Sequence, residues 1–466
     1  MHLNPPLCRR AFLAFFVLAG LFQSVVSGQS PPAAPAPLKL STFDVDATPS
    51  RGSQLAYDPM REAGELTLRC RGIVLSGMDK PIVLCAVDWI GIANGAHAAF
   101  CESLAEAAGT TSDRVAVHTL HQHDAPLADF SAEEILRSRN RETKISEATF
   151  VRDVIGRAAK ALRDGMAKAE TVTHAGYGTA DVKEVASSRR IYGPDGKVRA
   201  FRSTATKDAA LRAEPVGVID AAASVIGFWH EDKPIAVLSY YATHPQSYYR
   251  TGVANPDFPG IARFLREQAL PVSLHVHFTG AAGNIGAGKY NDGNPANRSI
   301  LAGRLSDGLE RAWKAVEKFP VAATDVTWRV ESVALPPAPH LNEAKLIAEI
   351  EGKEPKAGDI LGAAMQLAWF RRCTAGDKIP LTCLGLGKVR VLHMPGELFV
   401  EYQLAAKKMR PDLKIAMAAY GDYGPGYIGT EVAYAEGGYE TRTTSSFVAP
   451  QVEGVITEAI RKLLKD

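Results

Sequence analysis

Histidines and one glutamate follow short apolar runs at three places in the sequence. His121 and His123 form a His-x-His pair after one such run, and His244 follows a second. Glu397 follows a third run. In extended chain, alternate side chains share one face, so both imidazoles of the pair are expected to point toward one metal ion. Two or three histidines with one carboxylate are the ligands of a catalytic zinc that leaves one position open for water, which predicts hydrolysis by a metal-activated water.

Each of these residues also has a structural alternative. The pair could be surface or hydrogen-bonded histidines, and His244, which precedes Pro245, could be a structural histidine. Glu397, after Pro395 and Gly396, could be a carboxylate at a helix N-terminus that the helix dipole favours. Their joint placement at the ends of separate predicted strands favours the metal site over the three separate alternatives.

Short β-branched runs alternate with longer helical patterns along the chain. Strands are predicted at 80–87, 114–117, 234–240, 274–278, 326–335 and 389–392. Helices are predicted at 95–108, 146–169, 259–268, 297–319, 340–350, 397–409 and 450–464, with Ser146 and Asn297 as caps. The expected fold class is α/β, a layered sandwich of mixed β-sheets with flanking helices and the active site at the carboxyl ends of strands.

The N-terminal segment has the features of a secretory signal peptide. Arg9 and Arg10 precede a short apolar run that ends in small residues, which predicts a signal at 1–28. The run is shorter than the about 20 residues that span a bilayer, and an uncleaved anchor is the alternative. A Pro/Ala-rich linker is predicted at 29–38 and one catalytic domain at 39–466, in a secreted or periplasmic protein without stable membrane insertion. The net charge of +2 gives no reason to expect nucleic acid as a partner.

Five cysteines follow the predicted signal peptide, so at least one thiol is expected to be free. Cys373 and Cys383 flank a segment with Gly and Pro, and a disulfide between them would close a small loop. Cys70, Cys85 and Cys101 lie in apolar surroundings, which is typical of buried thiols.

Five segments, in order, resemble motifs of the neutral/alkaline, non-lysosomal ceramidase family. They are Asp46-Ala-Thr-Pro49, His121-Gln-His-Asp-Ala-Pro126, Tyr241-Ala-Thr-His244, Pro395-Gly-Glu397, and the segment from Tyr427 to Tyr439-Glu440. The resemblance extends over nearly all of 39–466 and concerns the catalytic domain of that family.

The resemblance implies a set of zinc ligands: His121, His244, Glu397 and Tyr427. Without the resemblance, the spacing of the pair makes both His121 and His123 candidate metal ligands. The resemblance instead gives His123 a hydrogen bond to the substrate carbonyl or to its tetrahedral intermediate.

Two further catalytic residues follow from the resemblance. Tyr439 is expected to hydrogen-bond the substrate beside His123. The family's Asn-Arg-Arg segment matches 188–190, so an arginine is expected to reach the site; Arg189 is the better match and Arg190 the alternative. A guanidinium is always charged and suits an oxyanion.

The chain departs from the family in one catalytic loop. A family serine is replaced by Gly286, in a polar, glycine-rich loop that also carries Asn284 and Lys289, and we expect this loop to contact the substrate. The family carries an additional C-terminal immunoglobulin-like domain, which is not expected between 39 and Asp466. Both departures make ceramide a doubtful substrate and favour a more polar N-acyl compound.

The expected function is a secreted zinc-dependent hydrolase of an amide (N-acyl) or related bond in a small or lipid-like molecule. A TIM-barrel amidohydrolase also uses His-x-His, but its closing catalytic Asp does not match Pro395-Gly-Glu397. The other alternative is a pseudoenzyme of the same fold that binds a glycan or a lipid headgroup, which Gly286 favours.

Overall fold

The computed structural model describes residues 36–142, 145, 147–352 and 357–465. The predicted signal peptide, most of the predicted linker and the predicted cap Ser146 lie outside the described residues. Among the helices described, none is long and apolar enough to cross a membrane.

The described chain contains 24 strands and 11 α-helices. The strands are β1 Lys39–Asp46, β2 Glu62–Ala63, β3 Arg69–Ser76, β4 Ile82–Val87, β5 Gly91–Ala93, β6 Val115–Thr119, β7 Leu127–Asp129, β8 Glu170–Thr171, β9 His174–Asp181, β10 Ser187–Ser188, β11 Arg190–Tyr192, β12 Val198–Phe201, β13 Ala222–His230, β14 Lys233–Tyr241, β15 Val253–Ala254, β16 Leu274–Thr279, β17 Ile285–Gly286, β18 Glu317–Pro320, β19 Val326–Val333, β20 Ile379–Leu386, β21 Val389–His393, β22 Glu397–Leu398, β23 Lys414–Ala418 and β24 Tyr427–Ile428. The helices are α1 Asn94–Ala108, α2 Phe130–Arg137, α3 Ala148–Met166, α4 Ala209–Ala213, α5 Asp257–Ala269, α6 Ala296–Lys314, α7 Glu343–Glu351, α8 Ala357–Thr374, α9 Val400–Met409, α10 Glu431–Glu436 and α11 Val452–Leu463.

Three larger mixed sheets organise the fold. Their strand orders are β6-β4-β3-β1-β8, β16-β14-β13-β9-β18 and β19-β20-β21-β23. Each sheet is antiparallel except for one parallel pair that includes an edge strand: β4 with β6, β14 with β16, and β21 with β23. Parallel neighbours need a crossover connection, and helices α1, α5 and α9 lie in the three crossovers. The fold therefore contains one β-α-β unit in each sheet.

The three sheets share a central core. Leu84 of β4, Leu238 of β14 and Val391 of β21 belong to one buried cluster. Val83 and Cys85 have the alternate orientation on β4 and belong to a second cluster with helices α1 and α3. Because both faces of β4 are buried, its sequence is a continuous apolar run rather than an alternating one. The predicted α/β class with mixed sheets and flanking helices is confirmed.

Two predicted helices extend over residues that form strands in the structure. The predicted 397–409 helix begins at Val400, because Glu397 belongs to the short strand β22. The predicted 297–319 helix ends at Lys314, because Glu317–Pro320 pairs with β9. Tertiary strand pairing overrides a helical pattern in both cases. Asn297, a predicted cap, lies inside α6.

The cysteines are free thiols in the described chain. Cys373, near the end of α8, donates to the carbonyl of Leu335 at 3.7 Å, while Cys383 is buried in β20. The two therefore do not form the disulfide considered for them. The Sγ atoms of Cys70 and Cys85, on neighbouring strands, are 3.6 Å apart and buried.

Candidate metal centre

Each of the three sheets contributes one residue to a common centre. His121 follows β6, His244 follows β14 and Glu397 follows β21, and each of these strands belongs to its sheet's parallel pair. Loops beyond the carboxyl ends of strands are the usual place for a site in α/β folds. The three residues are buried.

The reactive atoms of these residues converge. His121 Nε2 lies 3.2 Å from His244 Nε2 and 3.2 Å from Glu397 Oε2. His244 Nε2 lies 3.4 Å from the same carboxylate oxygen. His121 Nδ1 is 2.6 Å from the carbonyl of Ile90, and His244 Nδ1 is 3.0 Å from that of Ala282. Because a carbonyl only accepts, these contacts favour the tautomer in which each Nδ1 carries the proton and each Nε2 presents a lone pair to the centre.

This arrangement fits a metal ion. In that tautomer three lone-pair atoms face one another, and Glu397 Oε2 has no hydrogen-bond partner among the described residues. Such a cluster is repulsive without a cation. Zinc–ligand distances of about 2.0–2.1 Å give a tetrahedron with edges of roughly 3.3 Å, close to the observed separations. Burial lowers the pKa of His244 well below its usual value, which keeps its lone pair available.

Tyr427 lies beside the centre because of strand pairing. It is the register partner of Glu397 in the parallel pair β22–β24. Gly396, with φ of +58°, permits this close approach, since a Cβ there would lie 2.5 Å from the carbonyl of Gly426. Arg189 Nη1 donates to the Tyr427 hydroxyl at 3.1 Å. Burial raises the pKa of Tyr427, whereas the Arg189 charge lowers it, and a bound cation would act in the same direction as Arg189.

His123 lies beside His121 and His244, but no backbone carbonyl in the described chain holds its Nδ1 as in those two residues. Its ring centroid lies 5.0 Å from that of His121 and 5.4 Å from that of His244. A ligand nitrogen from each of these three histidines can be chosen so that all lie within 4.8 Å of one another. Among the described residues His123 Nδ1 has no partner. Burial, together with the charge of Arg189, lowers the pKa of His123 well below its usual value, which favours the neutral ring.

The backbone of the His-x-His pair is not extended, contrary to the geometry assumed from the sequence. Strand β6 ends at Thr119, and His121 has φ of +65°, a left-handed conformation that is costly for a non-glycine residue. Gln122 fixes this turn, because its Nε2 donates to the carbonyl of Asp88 at 3.2 Å and its Oε1 accepts from the backbone of Asp124 at 2.9 Å. The pair therefore converges through a fixed turn.

Two tyrosines that were not predicted as site residues hold the centre. The Tyr423 hydroxyl donates to Glu397 Oε1 at 2.7 Å, and burial raises its pKa, so it remains a donor. The Tyr420 ring stacks on His121 with centroids 4.4 Å apart. The Tyr420 backbone donates to the carbonyl of Gly396 at 3.0 Å. Both follow strand β23, so the rule that polar residues after a strand end form sites could have found them.

A cavity of about 540 Å³ opens on the centre. His121, His123, Arg189, Glu397, Tyr427 and Tyr439 line it, together with Tyr57, Thr204, Gln246, Tyr249 and Tyr423. The Arg189 guanidinium lies 5.7 Å from the Tyr439 ring centroid. Arg190, the alternative to Arg189, points elsewhere and pairs with Glu436 and Glu440 at 3.1 Å each.

The polar loop expected to contact substrate is occupied by internal hydrogen bonds. Asn284 Nδ2 donates to the carboxylate of Glu401 at 2.8 Å. Lys289 Nζ donates to backbone carbonyls, including that of Glu214 at 2.6 Å. In the described structure neither residue lines the cavity, and neither does Gly286. The loop supports the cavity wall rather than forming its surface.

No protein-family model and no curated protein sequence matches the chain. The structure of neutral ceramidase from Pseudomonas aeruginosa matches with a TM-score of 0.65 and 15% identity, covering 92% of this chain and 74% of that one. The fold is that of neutral ceramidase. A ceramidase structure described as complexed with C2 matches the ceramidase fold of this chain with a TM-score of 0.66 and 14% identity, covering 92% and 75% of the two chains.

Proposed function

We propose that the protein is a zinc-dependent hydrolase that cleaves an amide (N-acyl) bond. The observation that carries the proposal is the convergence of His121 Nε2, His244 Nε2 and Glu397 Oε2 on one point, at 3.2 to 3.4 Å from one another. Tyr427 is the fourth proposed ligand. A zinc ion held there supplies Lewis acidity and lowers the pKa of bound water toward ~7.

The surrounding residues have separate proposed roles. Arg189 remains charged, because Tyr427 and Glu440 offset the effect of its burial on its pKa, and it is available to an oxyanion that develops in the cavity. Neutral His123, with its unpartnered Nδ1, is suited to move a proton or to hold the substrate carbonyl. Tyr439 is the proposed second donor to that oxygen. Tyr423 fixes the orientation of Glu397.

Hydrolysis by the reconstituted protein tests this proposal. The purified chain is treated with a chelator, reloaded with zinc and assayed for amine release from soluble N-acyl substrates. We expect activity to disappear with the metal and to return with zinc, and Glu397→Gln, which keeps the side-chain size, to remain inactive. A protein that binds zinc but hydrolyses no N-acyl, ester or glycoside substrate would instead be a binding protein of the same fold.

We also propose that the protein is exported, on the basis of the signal peptide predicted at 1–28. Sequencing the N-terminus of the protein recovered outside the cytoplasm tests this. A mature chain that begins near Gln29 supports export, and an intact Met1 in a cytosolic fraction contradicts it.

A further inference from the structure

Two tyrosines form an aromatic wall directly beside His123. The Tyr57 ring lies parallel to the His123 imidazole at 6.0 Å, and the Tyr249 ring meets it edge-on at 5.4 Å. Tyr57 and Tyr249 are 5.1 Å apart and both line the cavity. Each keeps about two-fifths of its surface exposed, 39% and 40%. Rigid aromatic surface at the reaction site is available to stack against a flat or ring-shaped group.

A buried amide completes this part of the cavity. Gln246 is 6% exposed, and its Oε1 accepts the Thr204 hydroxyl at 2.5 Å. Gln246 lines the cavity, and its only side-chain hydrogen bond in the described chain is the one to Thr204, which leaves its Nε2 available to the cavity. The Gln246 amide is therefore held through its Oε1, and its Nε2 can donate hydrogen bonds to a molecule in the cavity.

Thr204 has a fixed position. Its backbone carbonyl accepts from Asn291 Nδ2 at 2.7 Å, and the same amide donates to the carbonyl of Ser247. A Cβ at Gly286 would lie 2.8 Å from Thr204 Cγ2, so the threonine occupies the space that a side chain at 286 would need. The Thr204 hydroxyl is used to orient Gln246.

We propose that Tyr57, Tyr249 and Gln246 form a subsite for a polyhydroxylated ring, so that the substrate is an N-acylated amino sugar. The assignment rests on the proposed amide hydrolysis and specifies its substrate class. The aromatic rings stack on the ring's C–H face, and the Gln246 amide donates to a ring hydroxyl. An acyl chain in the same place would cover the Gln246 amide donors and leave them unpaired, which is unfavourable. The cavity lining includes only three larger aliphatic side chains among the described residues, namely Ile90, Leu127 and Met365.

Matched substrates test the subsite. The zinc-loaded chain is given the methyl glycoside of N-acetylglucosamine, N-acetylcyclohexylamine, which lacks the hydroxyls, and ceramide in detergent. We expect kcat/KM for the sugar to exceed that for the cyclohexyl compound by about 10²-fold or more, since a site built to hydrogen-bond hydroxyls rejects an analogue without them. Gln246→Leu should lose most of this preference, and Tyr249→Ala should raise KM. Phe264→Ala, which removes an exposed aromatic ring that does not line the cavity, should change neither.

A measurement of glycoside binding distinguishes a failure of the subsite from a failure of the proposed hydrolase activity. Saturation-transfer NMR with the methyl glycoside reports binding whether or not hydrolysis occurs. Hydrolysis of N-acyl compounds without preference for the sugar, or with preference for ceramide, would overturn the subsite and leave the hydrolase intact. Without hydrolysis of any compound, the hydrolase proposal fails. Glycoside binding that Gln246→Leu abolishes would then still support the subsite, and absence of binding would overturn it.

Discussion

Glu397 and Tyr427 are direct partners in the parallel pairing of two short strands, β22 and β24. The backbone of Glu397 donates to the carbonyl of Gly426 at 2.9 Å, which fixes the separation of the two chains. The carboxylate is then oriented from its other side by Tyr423. Two proposed metal ligands are therefore held at a fixed spacing by backbone hydrogen bonds before any metal binds.

Tyr423→Phe should weaken metal binding without removing a ligand. The substitution deletes the 2.7 Å hydrogen bond to Glu397 Oε1 and keeps the ring. Loss of such a partner typically lowers metal affinity by about 10–100-fold. Competition with a chromophoric chelator measures the affinity. Tyr434→Phe is the control, because that hydroxyl is 2.9 Å from Ser446 Oγ and should leave the affinity unchanged. Equal affinities for all three proteins would show that Tyr423 does not orient the ligand.

His123→Ala should retain zinc and lose activity by about 10²–10⁴-fold, the range for removing an acid/base or oxyanion group. The structure brings His123 close enough to His121 and His244 to be a ligand itself, so metal content must be measured with the rate. If the variant loses its metal, His123 is a ligand, as the sequence pair alone suggested.

Arg372→Met should destabilise the protein in a pH-dependent way. Arg372 Nη1 donates to buried Asp422 Oδ2 at 2.7 Å. Burial is the largest single influence and raises the pKa of Asp422, but Arg372, His97 and the hydrogen bond from the Gly424 backbone together outweigh it, so the native carboxyl has a depressed pKa. The stability that this carboxylate contributes is present above its ordinary pKa of 3.8 and is lost only as the pH falls through the lower native value.

Without Arg372 the buried carboxylate loses its guanidinium partner and keeps the backbone N–H donors of Asn94 and Gly424, so the cost near pH 7 should be at most about 3–5 kcal/mol. Protonation of Asp422 relieves this cost in the variant. The difference in the free energy of unfolding between the wild type and Arg372→Met should therefore be smaller at about pH 5 than at about pH 7.5. Urea denaturation at both pH values measures it. Arg371→Met is the control, since Arg371 pairs with Glu343 at the surface and should cost at most about 1 kcal/mol. A constant difference at both pH values would contradict this account of Asp422.

The sequence predicts the strands that precede the three converging residues. The strands before His121, His244 and Glu397 are short apolar runs because both faces of each are buried, and that pattern is local. The α/β class and the convergence of polar residues at strand ends could therefore be predicted. The identity of the ligands depended on the resemblance to ceramidases and remains a prediction.

Features that arise from tertiary contacts could not be predicted in the same way. Tyr57 and Tyr249 are separate loop residues that become a wall only when the chain folds. Glu397 follows a Pro-Gly turn and precedes a helical pattern, so local propensity extended the helix over a residue that pairs with β24. The left-handed conformation of His121 also has no local sequence signal, because it is imposed by the surrounding hydrogen bonds.

Elemental analysis of the purified protein tests the metal centre most directly. We predict about one zinc per chain in the wild type, and strong loss of it in His121→Ala, His244→Ala and Glu397→Ala, because each variant removes one of the converging atoms. His340→Ala, which changes a half-buried histidine outside the cavity, should keep its zinc. A wild-type protein without any transition metal, or a zinc content that the three variants leave unchanged, would contradict the account.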